Sequence, residues 1–308
     1  MVMDPVPFCT EEYRADCAAQ LQLLRDIEPE IAHLLQAHRA RRQPWYPHEI
    51  LPWGRGRDYR QEPWREADTC LPQAVRMALE VSLLTEDNLP SYHAGLIRVL
   101  GAEGVWGEWV RHWTAEEGLH AIALRDYVLL SRNLNPRTLE DARMQQVKVG
   151  FSSPIHDPIS ALVYTTIQEL ATRVVYRNTS KAAAAHDPIA QDLLDHIAQD
   201  ENLHFIFYRR AVTLLLECAP NTVIGLIRHQ LSHFQMPGWG MRGFRKKATV
   251  IAAAGIYGKR EHCEQVLEPL IQQWRIATLH GLSAAGERDQ ELVLRLPALL
   301  KNRKSGPY

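Results

Sequence analysis

One pattern occurs twice in this 308-residue chain, and it restricts the possible folds more than any other feature. Glu86 is followed 31 residues later by Glu117-Gly-Leu-His120, and Glu169 is followed 32 residues later by Glu201-Asn-Leu-His204. In each E-x-x-H the Glu and His stand three positions apart, so on a helix both project from one face. The two halves supply four carboxylates and two imidazoles in matched order. With 22 Glu and 14 His, chance alone yields about one E-x-x-H. A third one, Glu30-Ile-Ala-His33, has no partner glutamate at the matching distance, and we read His33 as a helix-face residue. The matched pair points to two iron or manganese ions, bridged by carboxylates, inside a helix bundle.

The charge balance supports that reading. Four ionised carboxylates facing one another in an apolar core repel, and burial and like charge both raise a carboxyl pKa. Two divalent ions bring four compensating charges. No Cys lies near the motifs, which argues against an iron–sulfur cluster or a thiolate zinc site. H-E-x-x-H is absent, which argues against a zinc protease. A net charge of −1 provides no global field for nucleic acid or a membrane surface. No apolar run reaches the length of a transmembrane helix. Residues 1–5 do not read as a signal peptide, and Asp4, Glu11 and Glu12 do not suit a transit peptide. The five cysteines, Cys9, Cys17, Cys70, Cys218 and Cys263, are scattered without C-x-x-C, which suggests reduced thiols, mostly packed as small apolar groups. These features predict a cytoplasmic protein.

Helical periodicity dominates, and the expected fold is all-α: a four-helix di-metal bundle with flanking helices, in one domain spanning 1–308. An N-terminal helix is expected over about 11–41, divided or kinked at Pro29. A connection rich in Pro and Trp follows, too long for a simple loop and expected to pack over the bundle. The next helix starts near Pro72 and carries Val75, Leu79, Leu83 and Glu86 on one stripe, with a kink at Pro90. Ligand helices are expected over about 105–131, opened by Ser153-Pro154 and Asp157-Pro158, and from Asp187-Pro188. Further helices after Pro220 lead to a loop at Gly281 and a polar tail.

Other residues stand beside the ligands. Asp200 precedes Glu201 and is placed either to orient a ligand histidine or to be an ordinary surface aspartate. Thr172 lies three positions after Glu169, so its hydroxyl either faces the metal cavity or bonds back to the carbonyl at i−4. Trp45 is, on its own, packing material.

Several longer segments carry a resemblance. Trp45-Tyr-Pro-His-Glu-Ile-Leu-Pro52, Thr85-Glu-Asp-Asn-Leu-Pro90, Trp113-Thr-Ala-Glu-Glu-Gly-Leu-His120, Gln168-Glu-Leu-Ala-Thr172, Asp200-Glu-Asn-Leu-His204, Gly281-Leu-Ser-Ala-Ala-Gly286 and Arg295-Leu-Pro297 occur in this order. From about 44 to 303 the chain resembles the soluble acyl-acyl-carrier-protein desaturases of plant plastids and actinobacteria, ferritin-like di-iron enzymes. The resemblance implies two iron ions per chain, held by Glu86, Glu117, His120, Glu169, Glu201 and His204, with Glu117 and Glu201 bridging. It implies that Thr172 helps deliver protons to oxygen, and that Trp45, Asp200 and His120 carry electrons from ferredoxin. It also implies a homodimer and an oxygen-dependent removal of two hydrogens from an acyl chain tethered to acyl carrier protein. Leu203, Gly118 and Leu119 depart from the more polar plant pattern and lean toward the actinobacterial branch. The same ligands suit a hydroxylating di-iron oxygenase, and a non-catalytic iron-binding protein is the third reading. Carrier proteins are acidic, so a local basic surface is expected, from Arg39, Arg41 and Arg42 or from Arg242, Arg245, Lys246 and Lys247.

Overall fold

Proline placement sets most helix starts. A first-turn proline loses no intrahelical hydrogen bond and arrives with helical φ. The computed structural model describes residues 11–151 and 157–302, so residues 1–5, Cys9, Ser153-Pro154 and Arg303 lie outside the described residues. Helices α1 (Glu11–Asp26) and α2 (Glu28–Arg41) are separate, broken at Ile27 with Pro29 in the first turn of α2. Helices α6 (Gly104–Ser131), α7 (Pro136–Val149), α8 (Pro158–Ala183), α9 (Pro188–Cys218) and α10 (Pro220–His233) follow. Asn135, Asp157 and Asp187 cap α7, α8 and α9 by accepting backbone N–H bonds of 2.8 to 3.2 Å. Such a cap typically contributes about 1 kcal/mol.

Between α2 and the bundle the connection makes a short turn of helix, α3 (Pro47–Ile50), and two 3-10 turns at Trp53–Arg55 and Glu66–Asp68. Its remainder is pinned by the end of α6. Arg132, 1% exposed and left-handed at φ 57°, donates to the Asp68 carboxylate and to the Glu62 carbonyl. Asn133 accepts the backbone N–H groups of Cys70 and Leu71 at 3.0 Å. The connection therefore packs on the bundle, as its length suggests.

Helix α4 (Gln73–Glu86) buries Val75, Leu79, Leu83 and Glu86 on one stripe. Pro90 does not kink a continuous helix; it opens a separate one, α5 (Leu89–Leu100), after a break at Asp87 and Asn88. Helices α4, α6, α8 and α9 form the bundle, with α8 and α9 joined by a short turn and packed along each other. One hydrophobic cluster runs from Leu24 in α1 to Val293 near the C-terminus. Among the described residues there is no strand, and no helix is long and apolar enough to cross a membrane.

Two expectations need correction. The C-terminal segment is not a polar tail. After α11 (Phe244–Ala253), α12 (Lys259–Glu261) and α13 (Glu268–Gln273) comes α14 (Ala284–Asn302), docked against α10. A Cβ on Gly286 would lie 2.5 Å from Asn221 Oδ1, so the close approach requires glycine. Its buried face is narrow, chiefly Gly286, Val293 and Pro297, which is why its sequence looks polar. The cysteines are also less buried than expected: of the four described, only Cys263 is buried, while Cys70 and Cys218 are exposed.

Candidate metal centre

Each bundle helix delivers its motif to one point. Glu86 ends α4, Glu117 and His120 lie one turn apart in α6, Glu169 sits mid-way along α8, and Glu201 and His204 lie in α9. All six are at most 5% exposed. Their donor atoms form two overlapping groups, Glu86, Glu117, His120, Glu201 and Glu117, Glu169, Glu201, His204, each within 4.8 Å. Glu117 and Glu201 belong to both groups. His120 Nδ1 lies 3.4 Å from Glu117 and 3.5 Å from Glu201; His204 Nδ1 lies 2.9 Å from Glu117 and 3.5 Å from Glu169. These inward atoms, with both Glu201 oxygens, are buried without a hydrogen bond of good geometry. Buried orphaned donors of this kind are costly unless something else binds them. Four carboxylates and two imidazoles aimed at each other fit a pair of divalent cations.

Electrostatics without a cation agree with that fit. Burial, then the Glu117 charge, raises the Glu86 carboxyl well above its ordinary range. Burial, with Glu117 and Glu169, does the same to Glu201. Burial opposes charge on His120, but Asp200, Glu117 and Glu201 outweigh it and raise its pKa. His204 is likewise raised against burial, by Glu116, Glu117 and Glu169. Protons thus take the place of cations in a cluster that cannot hold its negative charge unbalanced.

Beyond the ligands the histidines are held from outside. His120 Nε2 donates to Asp200 Oδ2 at 3.4 Å, and Trp45 Nε1 donates to the same oxygen at 2.9 Å. Trp45 is 5% exposed, and its ring stacks parallel to His120 at 6.3 Å. Asp200 is therefore not an ordinary surface aspartate. On the other side His204 Nε2 donates to Glu116 at 2.8 Å, and Glu116 also meets His38 and His112 at 3.0 Å. Sequence reasoning missed Glu116, although the signal was present: both motifs begin with an acidic pair, Glu116-Glu117 and Asp200-Glu201. It also missed His38, which continues the buried Ile31 and Leu35 stripe of α2. His38, His112 and Glu116 bring donors within 4.8 Å of one another, but Arg42 Nε lies 3.0 Å from Glu116, and a guanidinium there opposes a further cation.

Thr172 makes the bond back to the carbonyl four residues earlier. Its hydroxyl donates to the Gln168 carbonyl at 2.9 Å, yet the side chain lines a largely apolar cavity of about 360 Å³ that also reaches Glu86. Tyr176 lines the same cavity and donates to Glu86 Oε1 at 2.5 Å. A second cavity of about 470 Å³, lined by Tyr92, Trp113 and Gln168, lies beyond Thr172, whose hydroxyl accepts a 3.4 Å bond from Gln168 Nε2. The two basic patches are unlike each other. Arg42 is not a surface charge: it pairs with Glu116 and Asp200, while Arg39 pairs with Glu108 at 2.7 Å. The other patch runs from Arg242 into α11, which walls the first cavity with Phe244, Ala248 and Ile251. Lys247 pairs with Glu80, Arg245 lies over Trp239, and Arg242, Arg245 and Lys246 are exposed.

The chain matches the fatty acid desaturase family over residues 19–305. A protein named as acyl-[acyl-carrier-protein] desaturase DesA1 of Mycobacterium tuberculosis is 39% identical over 279 residues, covering 87% of this chain and 82% of that one. Acyl-[acyl-carrier-protein] desaturase 6 of rice chloroplasts is 29% identical over 320 residues, covering 96% of this chain and 76% of its own. The X-ray structure of DesA2 from Mycobacterium tuberculosis H37Rv superimposes with a TM-score of 0.70 at 27% identity, covering 87% of this chain and 99% of that one. Identity is higher with the mycobacterial DesA1 than with the rice protein. The helical bundle, the paired motifs and these matches together place the protein in the fatty acid desaturase family, in its ferritin-like, acyl-[acyl-carrier-protein] desaturase branch.

Proposed function

We propose that this protein desaturates a fatty acyl chain carried on acyl carrier protein, using two iron ions, oxygen and electrons from ferredoxin or a similar donor. The observation that carries the reading is a buried set of four carboxylates and two imidazoles that opens, at Glu86 and Thr172, into an apolar cavity. An iron-storage role needs no such cavity.

Glu86, Glu117, His120, Glu169, Glu201 and His204 would hold the irons, with Glu117 and Glu201 shared. A bound iron pair supplies oxygen activation and the cleavage of an unactivated C–H bond, which side chains alone do not. Tyr176 orients Glu86 through its hydroxyl. Asp200 and Glu116 fix the two imidazole rings with Nδ1 facing inward. The Trp45–Asp200–His120 chain links the centre to an open cleft lined by Arg41 and His196, and is the proposed entry for electrons. The Thr172 hydroxyl, which exchanges hydrogen bonds with Gln168, would help deliver a proton to oxygen. The acyl chain lies in the first cavity, and the apolar lining excludes water around it. The exposed Arg242, just before α11, and Arg245 and Lys246 of α11 favour an acidic carrier protein at this wall. The whole chain acts as one domain, cytoplasmic and homodimeric.

Reconstitution with ferrous iron, ferredoxin, its reductase and oxygen tests the reading. The acyl product on acyl carrier protein loses two hydrogens, and the same chain on coenzyme A or as free acid turns over poorly. Gain of one oxygen instead identifies a hydroxylase. Equal turnover on all three carriers sinks the carrier-protein assignment.

A further inference from the structure

Arg42 sits just past the end of α2, its backbone N–H closing the helix on the His38 carbonyl at 3.0 Å. Its guanidinium reaches two helices at once. Nε forms an ion pair with Glu116 Oε1 on α6 at 3.0 Å without a directed hydrogen bond, and a terminal nitrogen donates to Asp200 Oδ2 on α9 at 3.1 Å. The side chain is 15% exposed, and both carboxylates are 4% exposed, so the contacts are largely shielded from water. Glu116 and Asp200 each receive the outward nitrogen of one inner histidine, and each immediately precedes a shared carboxylate, Glu117 or Glu201.

We infer that Arg42 is a positioning residue that locks the two outer carboxylates together, and so fixes the distance between the two halves of the centre. The inference rests on the two-metal reading above. The physical argument has two parts. Glu116 and Asp200 add two negative charges beyond the four ligand carboxylates, and one buried cation between them offsets part of that repulsion. A guanidinium is also planar and spreads its charge over three nitrogens, so one side chain can stand within ion-pair distance of carboxylates on two different helices. An ammonium supplies the charge but not that span. Helices α6 and α9, crosslinked at this point, cannot slide apart without breaking one contact. Each shared ligand is then held in register with the other.

Two measurements test this, and their failures are distinguishable. In the metal-free protein, thermal unfolding of Arg42→Gln, Glu116→Gln, Asp200→Asn and the two doubles containing Arg42→Gln forms a pair of mutant cycles. The clamp requires non-additivity with both carboxylates; additive effects with either one overturn it, whatever metal the protein binds. The second measurement is anaerobic titration with Co²⁺, followed by visible absorption. Wild type takes up two ions per chain; fewer than two would sink the two-metal reading and leave the cycles to judge the clamp. Glu116→Gln and Asp200→Asn each weaken one binding step by about 10- to 100-fold, whereas Arg42→Gln weakens both. Arg42→Lys does not restore both steps. If Arg42→Lys binds both ions like wild type, charge alone suffices and the clamp is overturned. Should Arg42→Gln fail to fold, the Arg42→Lys titration carries the same decision.

Discussion

His120 and His204 occupy equivalent places in the two motifs, and each turns Nδ1 inward and Nε2 toward an acidic side chain, but the surroundings diverge beyond that point. Asp200 behind His120 meets a tryptophan, Trp45, next to an open cleft. Glu116 behind His204 meets two more histidines, His38 and His112, with His38 stacked on His204 at 5.8 Å. All of the non-repeated partners except His112 come from one stretch, residues 38–45, at the end of α2 and the start of the connection. A near-symmetric core of inner ligands is thus made asymmetric by a single segment laid across it. One side thus ends at an open cleft beside Trp45, and the other in a polar network of Glu116, His38 and His112.

Removing an inner ligand has the largest effect, because it removes the symmetry itself. Glu117→Ala or His204→Ala is expected to lower metal content from about two ions per chain to about one or none, and to abolish turnover while helical circular dichroism persists. The next test breaks the comparison directly. Trp45→Phe is expected to slow ferredoxin-driven reduction several-fold with metal content unchanged, whereas His112→Ala leaves the reduction rate near wild type. Equal slowing by both would mean the two sides are not functionally distinct. Charge reversal at Arg245 and Lys246 is expected to raise the apparent KM for the carrier-bound substrate by about 10-fold with little change in kcat, and high salt to mimic it. Thr172→Val, which keeps shape but loses the hydroxyl, is expected to lower product formed per oxygen consumed by a few-fold; an unchanged ratio leaves Thr172 with only its bond to Gln168.

The pH response follows from the protons the cluster holds. Glu86, Glu201, His120 and His204 all have raised folded-state values, so each binds its proton more tightly folded than unfolded. Their stabilisation is complete in acid and is lost as pH rises through the folded values. The metal-free protein is therefore expected to melt at progressively lower temperature as pH rises above about 4.5, where the two carboxyls begin to contribute, and further above about 6.5, where the two histidines join them. Metal binding must displace these protons, so the stabilisation brought by metal grows over the same range. Glu116, Glu117 and Asp200 are shifted the opposite way, held low by their histidine partners against burial, and act only in acid.

The clustering of the six buried carboxylates and imidazoles was readable from sequence because the constraint on it is local. One-turn spacing within a helix, plus a glutamate at matched distance, encodes their geometry along the chain. Helix starts were readable for the same reason, through Pro136, Pro158 and Pro188. The outer shell was only half readable. Asp200 and Glu116 adjoin ligands in sequence, yet Glu116 was visible only by extending the repeat one residue outward. His38 and Arg42 become partners only when α2 packs across α6 and α9, a long-range contact with no local spacing signal. Arg42 in particular reads as part of a basic run with Arg39 and Arg41, and burial alone separates it from them. Helix α14 was missed because a helix resting on a narrow buried stripe leaves most of its sequence polar.

Anaerobic titration of the metal-free protein with ferrous iron, followed by elemental analysis, addresses the two-metal centre most directly. Uptake should plateau at about two irons per chain, and at about one or none in Glu117→Ala, whose carboxylate both donor groups share. A plateau at one iron in the wild-type protein, or a single tightly held zinc with no iron uptake, would contradict a centre built from both halves of the repeat.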